Sequence, residues 1–264
     1  MKTELYYFTG TGNGLHIAKS VKESLVQRNE AVELIPINTL NLSQSLHSSA
    51  NRIGIIYPTY AMTAPAIVKR FAEKLRVSSK SYVFTYAHCG GGGAGGATSS
   101  IVDILSDNDI IVTNTFQTRF PSNSTLFKYT DEKLESILSK SEVSVKENVR
   151  AIVDMVENIR PKSNSLNRAS RKMSGIFSSA LENHLQFKVI EANDNCNGCS
   201  VCSKVCPMEN IEMNGKPQFK SNCEMCFACI NNCPQKSLGF KKMNRKDFKP
   251  YRHPNVNVKE LMYR

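Results

Sequence analysis

The strongest constraint on this chain is a group of eight cysteines between residues 196 and 233. Cys196, Cys199, Cys202 and Cys206 are closed by Pro207, and Cys223, Cys226, Cys229 and Cys233 by Pro234. Each set reads C-x2-C-x2-C-x3-C-P, a spacing known for iron–sulfur ligation. Three thiolates two residues apart wrap one corner of a cubane. The fourth, on the short helix that follows, points away to another cluster. The spacing therefore predicts two [4Fe–4S] clusters with crossed ligands. One takes Cys196, Cys199, Cys202 and Cys233, and the other takes Cys223, Cys226, Cys229 and Cys206. The proline rings keep helix from continuing upstream of either site.

Structural zinc also takes four thiolates, but as two pairs per site rather than a triplet and a remote fourth. A disulfide framework belongs to secreted chains, and Met1 to Phe8 runs directly into a folded pattern with no leader. Residues 190–240 resemble two-cluster bacterial ferredoxins, with Lys216-Pro-Gln-Phe219 as part of a small hairpin between the cluster segments.

A chain of 264 residues exceeds such a unit and suggests one large or two ordinary domains. No apolar run nears the ~20 residues of a membrane span, and eight reduced ligand cysteines imply a cytoplasmic, reducing setting. The net charge of +11 is uneven. Residues 241–264 hold Lys241, Lys242, Arg245, Lys246, Lys249, Arg252, Lys259 and Arg264 against Asp247 and Glu260.

The N-terminal part alternates strand and helix patterns. Strands are expected at Thr3–Phe8, Ala31–Ile35, Arg52–Tyr57, Ser81–Ala87 and Asp109–Thr115. Helices carry Leu15, Ala18, Val21 and Leu25, then Ile67, Val68, Phe71, Ala72 and Leu75 after Pro65, then Ile101, Val102, Ile104 and Leu105. This predicts an α/β class with a doubly wound parallel sheet. Between the first strand and helix lies Thr9-Gly10-Thr11-Gly12-Asn13-Gly14, whose backbone N–H groups, hydroxyls and helix dipole suit a phosphate. A P-loop nucleotide site is excluded, because Ala18 stands before Lys19-Ser20 where glycine is required.

The loop Thr9-Gly-Thr-Gly-Asn is similar to the phosphate loop of flavodoxins, with Gly14 where those often carry a hydroxyl. Both halves together resemble a family of flavodoxin–ferredoxin fusion proteins from anaerobes. The likeness extends to Arg119-Phe-Pro-Ser-Asn123 and Arg252-His-Pro-Asn255. It implies FMN held by Thr9–Gly14 and by two later loops, with contacts from Pro58, Thr59, Tyr60, Ala61 and Met62, from His88, Cys89, Gly90, Gly91 and Gly92, and from Asn123. Tyr60 would stack on the flavin. The glycines of residues 90–96 fit G-x-G-x-x-G, but after a late strand, so they read as close backbone approach to the ring rather than a dinucleotide fingerprint. Cys89 reads as a small buried filler more readily than as a reactive thiol.

The expected organisation is a flavodoxin-like domain at 1–160, a helical connection at 161–189, a ferredoxin-like domain at 190–240 and a basic tail at 241–264. Val145, Val149, Ile152, Val153, Val156 and Ile159 form one apolar helical face, and Met173, Ile176, Phe177, Ala180, Leu181 and Leu185 another. The implied function is electron transfer between FMN and the clusters and on to a redox protein. No residue set resembles a nucleophile–base pair. An iron–sulfur flavoprotein reductase using NAD(P)H or a small acceptor is the competing enzyme reading. The basic tail suits an acidic redox partner docking near the second cluster, and nucleic acid is the weaker candidate, without a groove-reading motif.

Overall fold

The computed structural model describes residues 1–43, 46–78, 80–91, 93–123, 129–159, 190–240 and 249–263. The first unit is built on five strands: β1 (Lys2–Tyr7), β2 (Ala31–Pro36), β3 (Arg52–Pro58), β4 (Tyr82–Cys89) and β5 (Asn114–Arg119). All neighbours pair in parallel, in the order β2-β1-β3-β4-β5. This is the flavodoxin-like order, in which the chain reverses direction across the sheet between β1 and β3 and opens a crevice at the carboxyl ends of those strands. β3 and β4 are buried at every position, as strands covered on both faces must be.

Four helices cover the sheet: α1 (Asn13–Val26), α2 (Ala66–Lys74), α3 (Gly95–Asp107) and α4 (Asp131–Val153). α1 packs against α4 and α2 against α3. Leu15, Ala18, Val21 and Leu25 are buried on α1 at the expected spacing, as are Ile67, Val68, Phe71 and Ala72 on α2. Pro65 caps α2 rather than occupying its first turn. At the base of the sheet the Arg52 side chain is fully buried. Its guanidinium donates to Glu30 Oε2 (2.7 Å), Thr3 Oγ1 (3.0 Å) and the Val153 carbonyl (3.2 Å), tying the end of α4 to β1 and β3.

Two expectations move. The last strand lies at Asn114–Arg119, not at Asp109–Thr115. Asp109 adopts φ 60 and closes the helix end, Ile111 is exposed, and the strand is the segment that alternates buried and open positions at the sheet edge. The 131–160 region is one helix ending at Val153. Val156 and Ile159 lie beyond it and are exposed, while the Val156 carbonyl accepts from Tyr82 Oη and Asn114 Nδ2. The stripe from Met173 to Leu185 lies outside the described residues.

The second unit is small and irregular. β6 (Ile190–Ala192) pairs antiparallel with β9 (Leu238–Phe240), and β7 (Ile211–Asn214) forms a hairpin with β8 (Lys216–Phe219) through Gly215. Two one-turn helices, α5 (Val201–Lys204) and α6 (Ala228–Asn231), follow Cys199 and Cys226. They hold the third cysteine of each set, Cys202 and Cys229. The fourth lies just past the helix, a correction to the expectation that the helix carries it. A residue before proline is pushed out of the α region, and Cys206 and Cys233 each precede one.

The two units share a core. Val205, Met208, Cys226 and Ala228 join the apolar cluster of the first unit, as do Val256 and Leu261 from the C-terminal segment. Residues 249–263 run back over the first unit and end in a 3₁₀ turn, Val258–Leu261, closed by a capping box between Asn257 and Glu260.

Candidate cluster centres and the loop beside them

The structure sorts the eight cysteines into two cavities. Cys196, Cys199, Cys202 and Cys233 line one, and Cys206, Cys223, Cys226 and Cys229 line the other. Each cavity combines a triplet with the remote fourth cysteine of the other repeat. Backbone N–H groups already point at several sulfurs: Asn210 N at Cys206 (3.4 Å), Met225 N at Cys223 (3.4 Å) and Ser237 N at Cys233 (3.4 Å). Such donors stabilise charge on ligand sulfur and tune cluster potential.

The electrostatics follow the same division. Burial pushes the Cys202 thiol up to about 11, with Cys233, Cys199 and Cys196 adding to the rise. Burial likewise raises Cys226 and Cys229 well above the ordinary thiol value, and Cys206 and Cys223 add to both. Buried thiols clustered this tightly keep their protons unless a cation replaces them, and the thiolate is the metal-ligating form.

The Thr9–Gly14 loop joins β1 to α1 at the carboxyl edge of the sheet, and all six residues are buried. Thr9 Oγ1 accepts from Gly12 N (2.9 Å) and Gly14 N (3.2 Å), so two amides converge on one oxygen. The outer side of the loop is covered by the rest of the chain. A Cβ on Gly10 would stand 2.3 Å from the Cys226 carbonyl oxygen, and one on Gly12, at φ 93, would stand 3.0 Å from Val256. Asn232 Nδ2 donates to the Gly10 carbonyl (3.3 Å), His253 N to the Thr11 carbonyl (2.8 Å) and Tyr251 Oη to Asn13 Oδ1 (2.7 Å). Gly10 and Gly12 thus admit the second unit and the C-terminal segment, a use that the sequence did not reveal.

The two later loops leave the same edge. Tyr60 and Thr63 exchange backbone hydrogen bonds around Ala61 (φ 45) and Met62 (φ 64), a tight turn that leaves Met62 exposed. Pro58 ends β3, and Thr59 N donates to the His88 carbonyl (2.8 Å). Tyr60 packs edge-on against Phe8. Burial drives the Tyr60 phenol well above its usual range, with Cys226 and Glu224 next in effect. His88 is buried, and desolvation pushes its imidazole down to about 3. Cys89 is buried with a raised thiol pKa, chiefly from desolvation. Gly90 rests against Ser122, a Cβ on Gly91 would meet nothing within 4 Å, and Gly92 lies outside the described residues. Asn123 donates through Nδ2 to the Cys226 carbonyl (2.9 Å) and to Tyr60 Oη (3.3 Å).

The loop carries donors of the kind a flavin phosphate would use. Two loop amides aim at one acceptor position, now held by Thr9 Oγ1, and two buried polar atoms at the strand ends, Thr59 Oγ1 and His88 Nε2, find no partner among the described residues. The glycines at 91 and 93 leave open space beside the same edge.

A third cluster of polar groups joins the C-terminal segment to the first unit. The His16 and His253 rings stack at 3.9 Å and 17°, with Nε2 atoms 2.8 and 3.6 Å from Glu142 Oε1. His253 Nδ1 accepts from Asn255 N (3.3 Å), leaving the proton of the neutral ring on Nε2. Near-parallel rings at this separation do not both present an in-plane lone pair to one ion, so the trio is a polar clasp rather than a preformed metal site.

Residues 188–234 match the family model of the 4Fe-4S dicluster domain. A search of curated proteins finds no match. Among solved structures, the chain aligns with an NAD(P)H:quinone oxidoreductase from Methanothermobacter marburgensis at 12% identity and TM-score 0.41, covering 60% of this chain and 98% of that one. A flavodoxin from the domain Archaea aligns at 16% identity and TM-score 0.36, covering 57% and 99%. Rubredoxin oxygen:oxidoreductase from Desulfovibrio gigas aligns at 13% and 0.36, covering 58% of this chain and 37% of that one. The flavodoxin-like architecture rests on the strand order itself. The stretch holding both cysteine sets is thus similar to 4Fe-4S dicluster domains.

Proposed function

We propose that the chain is an electron-transfer protein that holds two [4Fe–4S] clusters and FMN. The observation that carries this reading is the crossed sorting of eight cysteines into two cavities, one of which abuts the Thr9–Gly14 loop through Cys226 and Gly10. Cys196, Cys199, Cys202 and Cys233 ligate the first cluster, and Cys206, Cys223, Cys226 and Cys229 the second. Bound FMN supplies a one- or two-electron store beside one-electron clusters.

Thr9, Thr11 and the amides of Gly12 and Gly14 hold the phosphate, with the Thr9 hydroxyl turning from acceptor to donor. Tyr60, His88 and the 88–91 backbone border the ring. The buried cover from Cys226, His253 and Val256 keeps water from the loop. Each set has one exposed cysteine, Cys199 in the first and Cys223 in the second, so each cluster has a side open to a partner. Docking is placed near the second cluster, beside the basic stretch that follows it in sequence. The partner is an acidic redox protein drawn by the positive net charge.

The test is anaerobic. Heating releases the flavin for chromatography, and NAD(P)H is added to the intact oxidised protein. FMN in the extract and no bleaching without a partner are expected. FAD or covalently retained flavin would overturn the FMN assignment, and rapid bleaching by NAD(P)H would overturn the carrier reading in favour of a reductase.

A further inference from the structure

The two cluster loops repeat each other at an offset that aligns Cys196 with Cys223 and Cys199 with Cys226. Their backbones repeat too. In the first loop the left-handed positions are Gly198 (φ 71) and Ser200 (φ 63). The aligned positions in the second loop are Met225 (φ 53) and Phe227 (φ 56). Glycine adopts this region freely and serine is small, but methionine and phenylalanine are sterically disfavoured there. Such conformations persist only where surrounding structure over-determines them.

The surroundings of the second loop come from the first unit. The peptide between Cys226 and Phe227 has its carbonyl gripped by Asn123 Nδ2 at 2.9 Å and seated over Gly10, where no side chain fits. Glu224 accepts from Ile67 N at 3.1 Å, at the start of α2, with Arg70 alongside at 3.7 Å. Behind the loop, Asn231 Nδ2 donates to the Asn123 carbonyl (3.1 Å) and Asn232 Nδ2 to the Gly10 carbonyl. In the first loop, the turn at Gly198 packs within its own unit, near the Gly215 carbonyl.

We propose that Asn123 is a positioning residue for the second cluster. With Gly10, it lets the flavodoxin-like unit hold the Cys223–Cys229 loop in a backbone that its own sequence disfavours. The left-handed turns of the first loop fall on Gly198 and Ser200 and need no such grip. Asn123 was expected to touch flavin; its side chain is instead committed to the Cys226 carbonyl and Tyr60 Oη. The inference rests on the two-cluster reading, and the iron content of the unmodified protein tests that reading separately.

The experiment is chelator-driven cluster loss in the full chain under anaerobic conditions, with exposed thiols alkylated over time and located residue by residue by mass spectrometry. In Asn123→Ala, alkylation of Cys206, Cys223, Cys226 and Cys229 is expected to run about tenfold faster than in the unmodified protein, the kinetic equivalent of one lost hydrogen bond. The Cys196, Cys199, Cys202 and Cys233 set keeps its rate. Gly10→Ala, which displaces the same carbonyl from the other side, is expected to give the same selective loss. Met225→Gly in the Asn123→Ala background relieves the backbone and is expected to restore most of the difference. Equal acceleration of both sets, no acceleration, or no rescue by glycine would overturn the proposal. An unmodified protein with iron for only one cubane would overturn the two-cluster reading and the proposal with it.

Discussion

Cys206 follows α5 in the first repeat, yet its sulfur lines the cavity of Cys223, Cys226 and Cys229. Cys206→Ala is therefore expected to remove iron from that cavity and leave the Cys196 set loaded, read by iron content and EPR of the reduced variant; loss confined to the Cys196 set would refute the crossing. Arg52 is fully buried with three partners. Arg52→Ala strands Glu30 beside the core and should cost about 3–5 kcal/mol, seen as a lower urea midpoint. His88 and His253 are both held down to about 3 by desolvation, against about 6.5 in an unfolded chain. The unfolded chain thus binds these protons first. Stability is complete above about pH 6.5 and is lost as the pH falls toward 3. Urea midpoints at pH 7.5 and 5.5 should show that fall, and His88→Asn should shrink it.

At the scale of elements, the C-terminal segment fastens the loop between β1 and α1. Its anchors are Tyr251 on Asn13, the His253 amide on Thr11 and Val256 over Gly12. Tyr251→Phe keeps the ring and removes one buried hydrogen bond, so a loss of about 1–1.5 kcal/mol is expected from thermal or urea unfolding. Tyr251 and Val256 are apolar positions in a stretch that the sequence marks chiefly by its charge. Their target was not legible, because Tyr251 meets Asn13 across 238 residues of sequence. The cysteine sets were legible because ligand spacing is local chemistry, and β3 and β4 because strands buried on both faces are continuously apolar. β5 was misplaced because its edge position leaves only an alternating, polar pattern, while the apolar run before it, Ile110-Ile111-Val112, packs as a connection. Asn123 carried no local signal of its partner: the Cys226 carbonyl is 103 residues away.

For the whole molecule, the second cysteine set abuts the flavodoxin-like unit through Cys226, and each set keeps one exposed cysteine, Cys199 or Cys223. No described helix is long and apolar enough to cross a membrane. The chain's positive charge should make electron exchange with an acidic ferredoxin fall steeply as salt rises over the range in which the Debye length shrinks from about 30 to about 8 Å. Stopped-flow rates check this, and flat rates would remove the electrostatic partner. Lys241, Lys242, Arg245 and Lys246, the basic residues beside the second set in sequence, lie outside the described residues. The most direct test of the electron-carrier reading is an anaerobic redox titration of the purified chain, with EPR and visible spectra resolving each centre and iron and acid-labile sulfide measured on the same sample. Two cubanes per chain, each taking one electron at low potential, together with a separate flavin couple, are expected; zinc in the cysteine sites, or a single cluster, would contradict it.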